Sequence, residues 1–282
     1  MRGREKTSKI KDKFVFIFAL RRCTGYRFGR ICLTGEGEAM PNVLITGASR
    51  GIGAAAARQF GAEGWNVILG YCSSGDRALA LAEELEAGGV RALALKGDVS
   101  DPIQAAALVE GAQCFGPLDA LVCCAGVALP QQLLIDTTDD QWRRVMGVDL
   151  DGVFYTIRAA YPAFVRQQRG SIITVSSMWG VTGGSCEAPY SAAKAGVIGL
   201  TQALAKELGP SHVRVNCVAP GVIATEMNAH LSPEDMKALG EETPLGRIGS
   251  PEEVARAITF LASDRAAFIT GQVLRVDGGM VI

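Results

Sequence analysis

From Asn42 onward, short apolar runs alternate with stretches of helical composition and spacing. Strands joined through helices lie parallel, and strands that are almost wholly apolar are typical of a sheet covered by helices on both faces. The alternation therefore predicts one α/β domain built on a parallel sheet. The predicted strands are 43–46, 66–70, 92–95, 120–123, 171–175, 213–217 and 273–276, and the first helices are 54–63, 77–87 and 102–114.

The bulk composition excludes several classes of protein. Of the 282 residues, 48% are hydrophobic and 20% charged, which suits one large core. Residues 40–282 carry 18 Lys and Arg against 25 Asp and Glu, and this acidic balance argues against a nucleic-acid partner. The eight cysteines and two histidines show no zinc-ligand spacing, so we expect no metal site and reduced thiols in a cytoplasmic protein.

The first 39 residues differ from the rest of the chain. They are basic, and their apolar run 14–20 is too short to span a bilayer and has no clean cleavage site after it, so no membrane partner is expected. The run Gly-Glu-Gly-Glu at 35–38 implies purine-rich codons just before Met40, as in a ribosome-binding site. We therefore expect residues 1–39 to be a disordered or mis-called extension and the folded domain to comprise 40–282.

A glycine-rich turn follows the first predicted strand. In TGASRGIG (46–53), Gly47, Gly51 and Gly53 allow a tight turn that brings the backbone close to a pyrophosphate at the start of the next helix. The alternative is a glycine turn that serves packing alone. Since the turn lies between a strand and an alanine-rich helix, a dinucleotide site is favoured.

The end of the second predicted strand indicates which dinucleotide binds. An NAD site usually has an acid there for the ribose 2′-hydroxyl, but 68–74 contains no carboxylate. Arg50 and the serines at 73 and 74 suit a 2′-phosphate instead, because guanidinium forms charge-assisted hydrogen bonds to phosphate. The sequence therefore favours NADP(H), with Arg50 as an ordinary solvated arginine the alternative.

A tyrosine, a lysine and a serine suit carbonyl chemistry. Tyr190 and Lys194 lie four apart in a helical stretch, so their side chains share one face. A lysine cation lowers a nearby tyrosine pKa from its usual value of about 10, which suits a general acid or base. Ser177, just after the strand 171–175, is placed to bond the carbonyl oxygen as charge develops. Taken alone, the tyrosine and lysine spacing is more often a surface pair.

An ordered series of motifs resembles the short-chain dehydrogenase/reductase family, and most of all its bacterial 3-oxoacyl-[acyl-carrier-protein] reductases. The resemblance covers about 240 of the 282 residues. It rests on TGASRGIG (46–53), GDVSD (97–101), AG (125–126), SS (176–177), YSAAK (190–194), VNCVAPGVIATEM (215–227), PLGRIGSPEEVA (244–255) and ITGQVLRVDGG (269–279).

The resemblance implies a Rossmann-like, doubly wound, seven-stranded parallel sheet in a single domain. It also implies hydride transfer between NADPH and a carbonyl, with Tyr190 donating the proton, Lys194 tuning Tyr190 and holding the nicotinamide ribose, and Ser177 orienting the substrate. Such enzymes are commonly homotetramers. The implied cofactor-binding residues are Gly47, Ser49, Arg50, Gly51, Ile52, Gly53, Asp98, Val99, Cys124, Ala125, Gly126, Tyr190, Lys194, Pro220, Gly221, Ile223 and Thr225.

Two positions depart from the family pattern. Cys123 and Cys124 stand where the family usually has two asparagines, and Asp149 stands where it has an asparagine that holds a water in a proton relay to the lysine. An ionised aspartate only accepts hydrogen bonds and brings a negative charge to Lys194. Asp149 is thus an expected catalytic residue that keeps the lysine protonated, opposes phenolate formation and alters the pH profile.

The substrate is less narrowly indicated than the reaction. Gln168 and Ser211 occupy the positions of two arginines that dock acyl carrier protein in the resembled reductases, although Arg166, Arg169, Lys206 and Arg214 are nearby. SSMWGVTGGSCEAPYSA also resembles reductases of the 5-aminopentanone modification on elongation factor P, and Glu187 suits a substrate amine. Expected partners are therefore a small or carrier-linked ketone, acyl carrier protein or elongation factor P. A non-catalytic NADP(H) sensor or scaffold is the alternative of another class.

Overall fold

The computed structural model describes residues 40–229 and 231–281. The prediction for residues 1–39 lies outside these residues. Seven parallel strands form one sheet in the order β3-β2-β1-β4-β5-β6-β7, which confirms the predicted fold class. The strands are β1 Asn42–Thr46, β2 Asn66–Tyr71, β3 Ala92–Lys96, β4 Ala120–Cys123, β5 Gly170–Val175, β6 Val213–Pro220 and β7 Val273–Val276.

Helices connect the strands. The bounds of the three predicted helices lie within three residues of those in the structure. The chain runs outward from β1 to β3, returns to β4 beside β1, and continues outward to β7. The helices are α1 Gly51–Ala62, α2 Gly75–Ala87, α3 Pro102–Ala112, α4 Asp139–Met146, α5 Gly152–Gln167, α6 Met178–Thr182, α7 Ala188–Leu208, α8 Pro233–Glu242 and α9 Pro251–Ala262. A π-helical turn, Gly147–Asp151, joins α4 to α5.

Two apolar layers enclose the sheet. Neighbouring side chains of a strand point to opposite faces, so Val43 and Ile45 pack with the helices α1, α2 and α9, whereas Leu44 packs with α3, α5 and α7. All five residues of β1 are buried. The run of apolar residues seen in the sequence therefore reflects a central strand covered on both faces.

No helix among residues 40–229 and 231–281 is long and apolar enough to cross a membrane.

The glycine turn after β1 is packed too tightly for side chains. Gly47 has φ +68°, and a Cβ there would lie 2.7 Å from the Ala125 Cα in the segment after β4. A Cβ on Gly53 would lie 2.3 Å from the Gly47 carbonyl oxygen. Glycine at 53 thus lets the first turn of α1 press directly on the loop before it.

We expect Gly53→Ala to lower the free energy of unfolding by about 1–3 kcal/mol, since the added methyl forces the turn and helix apart. Gly199→Ala is the matched control, because Gly199 lies inside α7 and has nothing within 4 Å of a Cβ. Chemical denaturation of both variants makes the comparison. Equal stability of the two would contradict the packing described.

Candidate active site

The candidate site lies at the carboxyl ends of the central strands. Parallel sheets bind ligands in the crevice outside these ends, at the point where the strand order reverses. Here the reversal falls between β1 and β4. The glycine turn follows β1, Ser177 follows β5 by two residues, and α7 carries Tyr190 and Lys194 past the same edge.

Lys194 is anchored inside the protein. Its side chain is buried, and Nζ donates a hydrogen bond to the Val175 carbonyl oxygen at 3.2 Å. The hydroxyl of Ser176 donates to the Lys194 carbonyl oxygen at 2.8 Å. These two bonds join the end of β5 to α7 and fix the position of the ammonium.

Asp149 forms a buried ion pair with this ammonium. Its Oδ2 lies 3.1 Å from the Lys194 Nζ, and its Oδ1 accepts a hydrogen bond from the Val127 N–H at 2.8 Å. The carboxylate is fully buried, and among the described residues no hydrogen bond of good geometry reaches Oδ2. The charge on Asp149 is therefore balanced through Lys194.

Local backbone geometry places this ion pair. The π-helical turn at Gly147–Asp151 widens the helix by one residue per turn, and it presents Asp149 to the sheet edge. Gly126 lies against the pair, since a Cβ on it would be 3.1 Å from the Asp149 Oδ2 and 3.3 Å from the Lys194 Nζ. A residue larger than glycine at 126 would separate the two charges.

Tyr190 and Ser177 adjoin each other above the ion pair. The Ser177 hydroxyl is near enough to the Tyr190 phenol to lower its pKa, and it accepts a hydrogen bond from the Trp179 N–H at 3.2 Å. The Lys194 Nζ lies 5.5 Å from the centroid of the Tyr190 ring. The structure thus brings together the four residues expected to be catalytic, with two hydroxyls side by side and one ammonium near the phenol.

The net pKa shift of Tyr190 is opposite to the one expected from its spacing to Lys194. Burial raises the Tyr190 pKa above its usual value, and the charges of Asp149 and Glu187 raise it further. Lys194 and the nearby hydroxyl of Ser177 lower this pKa, but by less. The expectation of a lowered pKa was wrong, because it left out burial.

The Lys194 pKa shift depends on Asp149. Burial alone would lower the pKa of Lys194, but the negative charges of Asp149 and Tyr190 together raise it. Burial raises the Asp149 pKa against the opposing effect of Lys194. The lysine therefore stays protonated across the neutral range.

The segments expected to bind cofactor converge at the same edge. The Thr46 hydroxyl accepts from the N–H groups of Cys124 and Ala125 at 3.1 and 3.3 Å, which holds the segment after β4 against the glycine turn. Burial raises the Cys124 pKa to about 11, so its thiol is a poor nucleophile at neutral pH.

The remaining expected cofactor residues lie at the ends of β3 and β6. Asp98 accepts hydrogen bonds at one oxygen from the backbone and hydroxyl of Ser100, and Val99 is buried. Ile223, shortly after Pro220 and Gly221, is also buried. A Cβ on Gly51 would contact the Thr225 methyl at 3.5 Å, so the segment after β6 reaches the glycine turn.

The start of α1 suits an anion. Its N-cap residue, Arg50, makes no side-chain cap, and no acid lies in its first turn. By contrast, α3 and α4 are capped by the side chains of Asp101 and Thr138. Backbone N–H groups without side-chain caps, beside a turn in which Gly47 and Gly53 leave no room for a Cβ, fit the pyrophosphate of a dinucleotide.

Two charged residues at the glycine turn were missed by the sequence analysis. Glu226 lies 3.3 Å from the guanidinium of Arg50 and 2.5 Å from that of Arg77. Arg77 is the third residue of α2, shortly after β2, and Glu226 lies inside the motif VNCVAPGVIATEM. The signal for Arg77 was its position just past the strand end where the cofactor ribose is expected.

Comparisons with known proteins agree with this geometry. The family model described as enoyl-(acyl carrier protein) reductase matches residues 47–281. The chain is 42% identical over 240 residues to 3-oxoacyl-[acyl-carrier-protein] reductase FabG of Staphylococcus aureus strain Mu50, covering 85% of this chain and 97% of that protein. It is 43% identical over 244 residues to the L-rhamnose 1-dehydrogenase (NAD(P)(+)) of Sphingomonas sp. strain SKA58, covering 85% and 96%.

A solved structure is similar over the same region. The crystal structure of a blue fluorescent protein from a metagenomic library in complex with NADPH has a TM-score of 0.80 and 35% sequence identity. The similarity covers 86% of this chain and 98% of that one.

We expect Lys194→Ala to destabilise the protein by about 3–5 kcal/mol, because it leaves the buried Asp149 carboxylate without its counter-charge. An uncompensated buried carboxyl has a higher pKa in the folded protein than in the unfolded chain. The loss of stability is therefore complete above that raised pKa, and it becomes smaller as the pH falls and the carboxyl is protonated. Denaturation of the variant at neutral and mildly acidic pH measures both effects.

Two further variants isolate the ion pair. Asp149→Asn in the Lys194→Ala background should restore part of the stability, since it removes the unbalanced charge. Lys206→Ala, at an exposed lysine of the same helix, should change stability by less than about 0.5 kcal/mol. Identical losses in the single and double variants would show that the charge of Asp149 does not depend on Lys194.

Proposed function

The chain belongs to the short-chain dehydrogenase/reductase family, and on that premise we propose that it reduces a ketone to a secondary alcohol with NADPH, most closely as a 3-oxoacyl-[acyl-carrier-protein] reductase does. The observation that carries the proposal is the pairing of the Tyr190 and Ser177 hydroxyls beside the buried Lys194 ammonium. The similar solved structure contains NADPH. Bound at the glycine turn, this cofactor supplies the hydride.

The residues of the chain handle the proton and the developing charge. Ser177 and Tyr190 both bond the substrate oxygen, Ser177 orienting it and Tyr190 giving up its phenolic proton as the oxygen becomes negative. The nearby ammonium of Lys194 then stabilises the phenolate that is left. As in the resembled reductases, Lys194 would also hold the nicotinamide ribose.

Asp149 helps keep the proton donor in its protonated form. A proton donor must be protonated before the reaction, and Asp149 helps keep the Tyr190 pKa high. The same charge disfavours the phenolate that alcohol oxidation requires as a base. The Asp149–Lys194 pair thus favours the protonated phenol at neutral pH and alters the pH dependence of both directions of the reaction.

Carrier-linked acyl chains are the first candidate substrates. The support is the 42% identity to a 3-oxoacyl-[acyl-carrier-protein] reductase over nearly its whole length. Carrier docking would depend on few basic residues, however, because Arg169 pairs with Asp119 at 3.0 Å and Arg214 donates to the last carbonyl groups of α9. Arg166 and Lys206 remain exposed. The acyl thioester itself, more than the carrier surface, is therefore the recognised group.

A ketone that bears an amine, such as the aminopentanone modification on elongation factor P, is the second candidate. The observation that favours it is Glu187, which directly precedes α7 and whose charge acts on the Tyr190 phenol. A carboxylate close enough to act on the Tyr190 phenol would attract a substrate ammonium and give no advantage to an alkyl chain.

We also propose a homotetramer. Phe268, just before β7, is fully exposed, and Phe154 on α5 and Leu274 in β7 are more than a third exposed. Large exposed apolar side chains on two separate elements suit subunit contacts on two faces.

We expect acetoacetyl thioesters to be reduced with NADPH, and Tyr190→Phe to lose at least about a hundredfold in kcat, because the general acid is gone. NADPH binding by this variant should stay within about threefold of the wild type, since the phenyl ring is retained. Initial rates of NADPH oxidation and fluorescence titration of NADPH measure the two quantities.

The matched control is Tyr161→Phe, which removes a phenol near Glu207 and away from the site and should keep full activity. Acetoacetyl thioesters of acyl carrier protein and of a short pantetheine mimic, and an amine-terminated ketone with its amine-free analogue, separate the substrate classes. A preference for the amine that Glu187→Gln abolishes would support the second candidate. NADPH binding without turnover of any ketone would show a sensor or scaffold instead.

We expect Asp149→Asn to lower the Tyr190 pKa, since it removes the negative charge of Asp149 from the neighbourhood of the phenol. Reduction needs the protonated phenol, so its alkaline decline should begin at lower pH. Oxidation needs the phenolate, so its rise should also move to lower pH. Profiles of kcat/KM against pH in both directions test the shift.

Asp151→Asn is the control for this profile. Asp151 lies two residues further on in the same π-helical turn and is exposed, so its charge is screened by water. Coincident profiles for the wild type and both variants would contradict a role for Asp149 in setting the phenol pKa.

A further inference from the structure

The Glu226 carboxylate forms ion pairs with two guanidinium groups near the glycine turn, those of Arg50 and Arg77. The Glu226 Oε1 is 2.5 Å from an Arg77 nitrogen, and its Oε2 is 3.3 Å from an Arg50 nitrogen. One oxygen thus serves each arginine. This is the way in which guanidinium groups hold a phosphate.

The three residues come from three different parts of the fold. Arg50 is the N-cap of α1, Arg77 lies in the first turn of α2, and Glu226 follows the end of β6. They line one groove of about 470 Å³ together with Ser49 and Gly51. Arg77 also lines the adjoining groove of about 430 Å³ with Ser73, Ser74 and Lys96.

The position of these grooves matches the adenosine end of a dinucleotide. With the pyrophosphate at the glycine turn, the adenosine ribose lies toward the end of β2, where Tyr71, Ser73 and Ser74 line the second groove. Arg50, Arg77 and Lys96 lie around this point. Among the described residues that line the two grooves, the one other basic side chain is Arg58, which pairs with Glu84. A 2′-phosphate in this place would meet Arg50 and Arg77.

Glu226 is ionised, and another anion can displace its carboxylate from the two arginines. The hydrogen bond from Arg77, and then that from Arg50, hold the Glu226 pKa below its usual range, so it is ionised at neutral pH. All three side chains are about half exposed. Exposed ion pairs contribute little stability, so an anion of higher charge displaces such a carboxylate at small cost.

We propose that Glu226 competes with the 2′-phosphate of NADP(H) for Arg50 and Arg77, and that this ion pair sets how strongly the protein distinguishes NADPH from NADH. The inference rests on the NADPH binding of the proposed function and not on the ketone substrate. NADH has no 2′-phosphate and leaves both ion pairs in place. Arg77 is then a second specificity-determining residue for the cofactor, beside Arg50.

The test is the dissociation constant of each cofactor, measured by fluorescence titration at low ionic strength without ketone. Glu226→Gln should bind NADPH about threefold to tenfold more tightly than the wild type, with less than a twofold change for NADH. Arg77→Gln should weaken NADPH binding without affecting NADH. In the Arg77→Gln background, Glu226→Gln should improve NADPH binding by less, because only Arg50 is then freed from the carboxylate to bind the 2′-phosphate.

Glu84→Gln is the matched control, because Glu84 lines the same groove but pairs with Arg58 at 2.7 Å. A gain in NADPH binding from Glu84→Gln equal to that from Glu226→Gln would overturn the inference, since any lost negative charge would then suffice. Equal effects of Glu226→Gln on NADPH and NADH, or no effect on either, would also overturn it. Failure of every variant to bind NADPH would overturn the proposed function together with this inference.

Discussion

The buried ion pair between Asp149 and Lys194 joins four parts of the fold. The carboxylate belongs to the π-helical turn and accepts from the segment after β4, while the ammonium belongs to α7 and donates to the end of β5. The buried carboxylate depends on the ammonium for its counter-charge. The position of Tyr190, one helical turn before Lys194, is therefore fixed through a contact in which the phenol itself takes no part.

Much of the fold follows from the sequence because its signals are local and repeated. Seven apolar runs alternating with helical stretches leave little choice but a parallel sheet, and the strands lie within three residues of their predicted bounds. The crowding around Gly47 and Gly53 explains why the glycine turn could be recognised. The same turn marks one end of the site, and the ordered tyrosine, lysine and serine mark the other.

What the sequence did not provide is the sum of competing electrostatic effects. The spacing of Tyr190 and Lys194 predicts a lowered phenol pKa, but burial outweighs the lysine, and two carboxylates add to it. The identity of Asp149 was readable, whereas its direct contact with Lys194 depends on a π-helical turn that has no clear sequence signal. The pairing of Arg77 with Glu226 joins residues 149 positions apart and leaves no periodic trace in the chain.

A carboxylate lies on a cation at each end of the proposed cofactor path, and burial makes the two cases different. At the nicotinamide end, Asp149 and Lys194 are nearly inaccessible, so separating them would leave two uncompensated charges, and the pair acts as a fixed part of the site. At the adenosine end, Glu226 and its arginines face water, which compensates each charge when the pair opens. On our proposals, the same kind of contact therefore sets proton transfer where it is buried and cofactor choice where it is exposed.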